Sequence, residues 1–146
     1  MITELWEESL LALKNMLNLD WDDVASFNLN EAFETVPPIP EKLEQEILSH
    51  NHADYELYKH FYNKLKTKSK QFPEKDFLTL RYHQRFWRRT CIESRVLKLS
   101  YAKKFYLGYL LKSNIPKQYQ EQCQLMVYSE IEFVEQYRQE IYGLNI

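Results

Sequence analysis

Four histidines, two cysteines and two glycines are the side chains and hinges from which this chain of 146 residues would have to build chemistry. His50 and His52 stand too close together to be two metal ligands on one helical face, which needs a spacing of about three or four residues. His60 and His83 fall in helical segments among apolar and basic neighbours. Cys91 and Cys123 have no C-x-x-C partners, so the zinc-site pattern is absent. Glycine occurs at 108 and 143 only, which excludes both the G-x-x-x-x-G-K-[ST] loop and the G-x-G-x-x-G turn. No serine stands in a nucleophile-elbow context. Taken alone, these residues define no catalytic constellation and no metal site, and the histidines read as structural or surface side chains.

Charge is the second signal. The net charge is −2, yet the charges are sorted along the chain. Residues 1–58 carry two basic and thirteen acidic side chains, whereas residues 59–104 carry fourteen basic and three acidic. Such asymmetry points to an anionic partner, to mutual neutralisation of the two stretches, or to solvated helix faces. In the basic stretch Phe72, Phe77, Tyr82, Phe86 and Trp87 are interleaved with lysine and arginine. This is the composition of a small helical module that stacks on single-stranded nucleic acid.

The elements that would position these residues are mostly helical. Thr3 is placed to cap a helix with Glu4, Glu7 and Glu8 in its first turn, where the helix dipole favours acids. Trp6, Leu10, Leu13 and Leu17 follow on one face. Val24 to Asn30 alternates and reads as a short strand. Pro37, Pro38 and Pro40 mark a loop, with Pro40 opening a helix to about Leu48. Asn51 and Asp54 resemble a capping pair for a helix striped by Ala53, Leu57, Phe61 and Leu65. Pro73 interrupts it, and Asp76 is placed to cap a further helix to about Arg89. Ser129 and Glu132 form a capping box, and Gly143 reads as the C-cap of the last helix.

With 45 % hydrophobic and 15 % aromatic residues, the chain has material for one core and is too short for two full domains. It reads as a single region over 1–146, mainly α with one or two short strands. Trp6, Leu10, Leu13, Leu17, Phe27, Leu29, Leu57, Phe61, Ile131 and Val134 are the expected buried set. No run approaches the roughly 20 apolar residues that span a bilayer, and the opening "MITELWEES" is acidic. The chain itself therefore carries no recognisable signal or anchor.

Ordered blocks resemble the galactose 3-O-sulfotransferases. The first matches at Glu4, Trp6, Glu7, Glu8, Ser9, Leu10, Leu13, Lys14, Leu17, Asp23, Val24, Phe27, Leu29 and Asn30. The second resembles W-N-x-x-D-x-x-L-Y-x-H-F-N at Asn51, Asp54, Leu57, Tyr58, His60 and Phe61. Cys91-Ile92 falls where the family has a C-I pair. The last matches at Leu107, Gly108, Tyr109, Leu111, Lys112, Ile115, Gln122, Cys123, Met126, Glu130 and Ile131. His50 and Tyr62 depart from the second block, and the stretch between Phe61 and Cys91 is shorter and carries Pro73.

The resemblance implies the C-terminal portion of an α/β nucleotide-binding sulfotransferase fold, with the donor-binding half absent from this chain. The implied enzyme is a Golgi membrane protein with a lumenal active site. It moves sulfonate from 3′-phosphoadenosine 5′-phosphosulfate to the 3-hydroxyl of a terminal galactose on a glycolipid or glycan. Asn51, Asp54, Tyr58 and His60 are its implied acceptor-side candidates, Asp54 and Tyr58 being one helical turn apart. The competing reading has Asn51 and Asp54 cap a helix that Tyr58 and His60 pack. Val24–Leu29 would then be a strand with few partners here. The chain alone is expected to be inactive and to hold no cofactor of its own. A lumenal setting lets disulfides persist, and the resemblance pairs Cys91 with Cys123, against the alternative of two free buried cysteines. The alternative function remains the nucleic-acid-binding module over 59–104, although no nucleic acid is expected if the resemblance holds.

Overall fold

The computed structural model describes residues 1–29, 31–32, 37–99 and 105–143. A 3₁₀ turn at Thr3–Leu5 leads into α1 (Trp6–Leu17); β1 (Glu31–Ala32), α2 (Glu41–His50), α3 (His52–Ser69) and α4 (Glu74–Cys91) follow. Then come β2 (Ile92–Leu99), β3 (Phe105–Leu111), α5 (Lys117–Val127) and α6 (Glu130–Tyr142). The protein is mainly helical. Its described strands form one antiparallel sheet in the order β1-β3-β2.

The backbone clusters into two compact units, Met1–Ala25 with Thr35–His83, and Ser26–Glu34 with Gln84–Ile146. In the first, Leu10, Leu11, Val24 and Leu80 form the core, and Leu19, Trp21, Phe72 and Phe77 pack against it. In the second, Trp87, Cys91, Tyr109, Ile115, Cys123 and Val127 are buried. A disulfide joins Cys91, the last residue of α4, to Cys123 in α5, with Cα atoms 5.3 Å apart.

Local chemistry explains most helix ends. At α6 the Ser129 hydroxyl accepts the Glu132 N–H, the Glu132 carboxylate accepts the Ser129 N–H, and Gly143 closes the helix at φ 63°. Asn18 ends α1 in the same left-handed conformation, φ 51°, which asparagine tolerates because its short side chain bonds locally. Pro40 sits one residue before α2, where its missing N–H costs nothing.

Three expected caps are corrected. Thr3 opens no α-helix; its hydroxyl donates to Glu4, and the Ser9 hydroxyl instead ties both N–H and C=O of Ile2. The Asn51 amide turns back to the Ile47 carbonyl, because Asn51 ends α2 as well as preceding α3. α4 begins at Glu74, directly after Pro73, so Asp76 lies inside its first turn.

The expected burial also needs correction. Leu10 is buried, Leu13, Phe27 and Leu29 are half-buried, and Trp6, Leu17, Leu57, Phe61 and Val134 are exposed. The side chain of Ile131 lies outside the described residues. In α1 the inward arc is Ser9, Leu10 and Leu11, turned from the Trp6–Leu17 stripe. In α3 the less exposed positions are Tyr62, Leu65 and Ser69. Helical spacing marks an apolar stripe, but a face is buried only where a neighbouring element covers it.

Val24–Leu29 is not a strand, and Asn30 lies outside the described residues. Ladder pairing begins only at Glu31, opposite Leu107, since a strand needs a partner within hydrogen-bonding distance. The β2–β3 hairpin supplies the longer strands, eight and seven residues. Gly108 pairs with Val96 there, and the stem of Lys98 crosses it: a Cβ at 108 would lie 2.7 Å from Lys98 Cδ. The glycine is a packing solution.

Candidate functional site

α3 carries the expected acceptor-side residues, and helix geometry decides which of them share a face. At about 100° per residue, Asn51, Asp54 and Tyr58 fall within one arc, whereas His60 lies roughly 160° round from Tyr58. Around Tyr58 the structure gathers residues from the chain's first turn. Its phenol lies near the Glu4 carboxylate and is pushed up from its ordinary range, first by loss of surrounding water and then by that carboxylate. Glu4 is held below the usual carboxylate range by its own backbone N–H, then by the Thr3 hydroxyl, with Tyr58 adding. The Tyr62 ring lies 5.8 Å from Tyr58, and Lys66 sits over Tyr62 at 5.5 Å. Carboxylate, hydroxyl and phenol are the groups that hydrogen-bond sugar hydroxyls, with tyrosine rings as an apolar floor.

His60 belongs elsewhere. It meets Phe61 edge-on at 5.2 Å and lines a shallow depression with Asn63, Lys64, Thr67 and Lys68 along the opposite face of α3 and Gln71 just beyond its end.

A second cluster escaped the sequence. His83 Nδ1 lies 2.6 Å from Asp22 Oδ1, its ring stacks on Trp21 at 6.3 Å, and Lys14 sits over the Trp21 ring at 4.4 Å. Asp23, next along, accepts the N–H of Asp20 and shapes the loop after α1. An imidazole whose Nδ1 is held by a carboxylate is oriented to exchange protons at Nε2. Histidine and aspartate are 61 residues apart. The acid-rich "DWDD" was the available signal, but nothing in it names the histidine.

The basic stretch is remade by packing. Phe72 and Phe77 support the first unit's core, while Trp87 is buried and stands edge-on to Tyr119 at 5.4 Å, with Phe86 at 5.8 Å from the same ring. Of the five interleaved aromatics only Tyr82 is broadly exposed, at 65 %, which removes the stacking platform a nucleic-acid reading needs. Arg81 forks onto the Glu7 carboxylate at 2.7–3.1 Å, and this ion pair raises the guanidinium further. Both glycines are occupied structurally: Gly108 lies mid-strand and Gly143 ends a helix, so neither opens an anion-binding helix N-terminus. No group of three His, Cys, Asp or Glu suited to a metal occurs among the described residues. No helix among them is long and apolar enough to cross a membrane.

Residues 1–141 match the family model described as Galactose-3-O-sulfotransferase. Mouse galactosylceramide sulfotransferase is 26 % identical over 152 aligned positions, which cover 92 % of this chain and 36 % of that protein. The bovine galactosylceramide sulfotransferase matches to the same extent. The chain thus spans little more than a third of the length of these relatives. No solved structure matches it.

Proposed function

The chain belongs to the galactose-3-O-sulfotransferase family, and from that premise we propose that it forms the C-terminal, acceptor-side portion of an enzyme that sulfates the 3-hydroxyl of terminal galactose. The match over residues 1–141 is the observation that carries this reading. The donor is 3′-phosphoadenosine 5′-phosphosulfate. In the reaction the galactose oxygen bonds to sulfur, the bond from sulfur to the bridging phosphate oxygen breaks, and a base takes the hydroxyl proton. The acceptor is a galactose-terminated lipid or glycan, as the relatives' names suggest. The described disulfide accords with a Golgi lumenal setting.

In this reading Asn51, Asp54 and Tyr58, joined by Glu4, contact the sugar, and 1–146 acts as a single region within the larger catalytic fold. Residues 1–146 alone transfer no sulfonate. Reactive alignment requires the donor to be held at both its phosphosulfate and its 3′-phosphate. The lysines of α3 attract anions without fixing their geometry. Incubation of the purified chain with labelled donor and a terminal-galactose acceptor is expected to yield no product. Product that grows with protein concentration overturns this. In full-length mouse galactosylceramide sulfotransferase, the substitution matching Asp54→Ala is expected to raise the KM for acceptor about tenfold and leave that for donor unchanged, the scale of one lost hydrogen bond to a charged group. A fall in thermal stability with unaltered kcat/KM defeats the acceptor role.

A further inference from the structure

The 3₁₀ turn Thr3–Leu5 has no side-chain cap of its own, and neither has the start of α1 behind it. The residues at the two N-cap positions, Ile2 and Leu5, carry no atom that could accept a backbone N–H. What holds the turn is Ser9, seven residues along from Ile2. Its hydroxyl accepts the Ile2 N–H at 2.9 Å and donates to the Ile2 carbonyl at 3.1 Å. A serine hydroxyl has one proton to give and lone pairs to receive, so both bonds form at once. A helical serine commonly bonds the carbonyl one turn back; Ser9 instead reaches past the start of its helix. It is 4 % exposed, so solvent does not compete for these bonds. The same Ile2 carbonyl accepts the Leu5 N–H at 3.2 Å, and the turn closed in this way packs against α3.

We propose that Ser9 is a positioning residue of the acceptor site: by clamping both polar groups of Ile2 it fixes the turn that sets the Glu4 carboxylate beside Tyr58. The inference rests on the acceptor-side reading of Asn51, Asp54, Tyr58 and Glu4. Ser9 is buried and touches no sugar; it acts through the backbone of residues 2–5. With alanine at position 9 the Ile2 N–H loses its partner, and little else changes, because only one oxygen is removed. The turn then carries Glu4 over a range of positions. An arm that must be ordered each time a ligand binds lowers affinity, whereas a clamped arm presents its carboxylate already in place. The Thr3 hydroxyl, 3.1 Å from Glu4 Oε2, moves with it, so one buried hydroxyl governs two polar groups near the phenol.

The first test uses the 146-residue protein and reads Tyr58 itself. Its ring signals, assigned by their loss in Tyr58→Phe, are followed by NMR as the phenol ionises. Glu4, Tyr62 and Tyr55 are the charged and titratable groups that act on it, and its pKa is raised by lost hydration and by Glu4. Ser9→Ala is expected to lower that pKa toward the ordinary tyrosine range, since both causes leave with the turn. Leu80→Ala, which weakens the core of the same unit without touching the turn, is expected to leave Tyr58 as it was. The second test uses full-length mouse galactosylceramide sulfotransferase. There the substitution matching Ser9→Ala is expected to raise the KM for acceptor about fivefold, the scale of one neutral hydrogen bond, with kcat and the KM for donor unchanged. Ser9→Thr, which keeps the hydroxyl, is expected to recover most of that loss. An unmoved Tyr58 in the folded Ser9→Ala protein overturns the proposal and leaves the acceptor-side reading standing. Ser9→Thr as impaired as Ser9→Ala overturns it as well. A moved Tyr58 with an unchanged acceptor KM overturns it by way of that reading, which the Asp54→Ala kinetics judge separately.

Discussion

In the unit formed by Met1–Ala25 and Thr35–His83, four aliphatic side chains make the core, and polar pairs, the Glu7–Arg81 ion pair and the Asp22–His83 contact, join residues far apart in the chain. The unit formed by Ser26–Glu34 and Gln84–Ile146 buries two aromatic rings and a disulfide, and carries the β2–β3 hairpin together with α5 and α6. One unit relies on apolar burial and on ion pairs that salt can screen. The other carries a covalent link that salt leaves alone and reductant destroys. Each therefore has a characteristic weakness, and variants that keep Trp21 or Trp87 as the single tryptophan, the others changed to Phe, offer separate fluorescent reporters of the two.

The largest effect is expected from the covalent link. Removing it as Cys91→Ala with Cys123→Ala frees a loop across a sequence separation of 32, at a cost of about 3–4 kcal/mol by loop entropy. Denaturant melts read at Trp87 should show the loss, while Trp21 should move little. Equal shifts at both reporters would erase the distinction between the units. Leu80→Ala is expected to do the reverse. Leu80 is fully buried in the first unit's core, and its truncation costs about 3 kcal/mol, reported by Trp21.

A smaller loss follows from Ser129→Ala, which removes one half of the capping box of α6 and costs about 1 kcal/mol. Helicity measured by circular dichroism during thermal melting checks it, with an unchanged Trp21 signal. The smallest effect concerns pH. Glu4 is held below the usual carboxylate range when folded, so its contribution is present above the unfolded carboxylate pKa and is lost as pH falls through the folded one. Glu4→Gln should therefore flatten the acid side of the stability profile read at Trp21 and leave the neutral side nearly unchanged. An unaltered acid limb would show that the hydrogen bond of Glu4 to Thr3 and its proximity to Tyr58 do not stabilise the fold.

The ends of α6 were legible because capping is a contract among neighbours: Ser129 reaches Glu132, and Gly143 adopts its left-handed turn with no help from distant residues, whereas Thr3, Asn51 and Asp76 were misplaced as caps. The family resemblance was legible for a related reason, being carried by ordered spacings along the chain. The candidate site was legible only in part. Asp54 and Tyr58 share a face, and His60 faces another way with Lys64 and Lys68, by helical period alone, but that Glu4 meets Tyr58 depends on what packs beside α3.

What the sequence by itself determined is therefore most of the helices, the two ends of α6, the sorted charge and the family, whereas the β2–β3 hairpin and α5 were not read from it. Tertiary structure decided which stripe of each helix is covered. It left Leu57 and Phe61 exposed, and it drew Phe72, Phe77 and Trp87 out of a presumed binding surface and into packing. It also decided that Glu31 rather than Val24 begins the ladder, and that Asp22 meets His83. The physical reason is range. Caps and helical periods act within a turn or two of chain, whereas burial and ion pairing depend on which distant surface arrives, and the free energy of covering apolar area is indifferent to sequence separation.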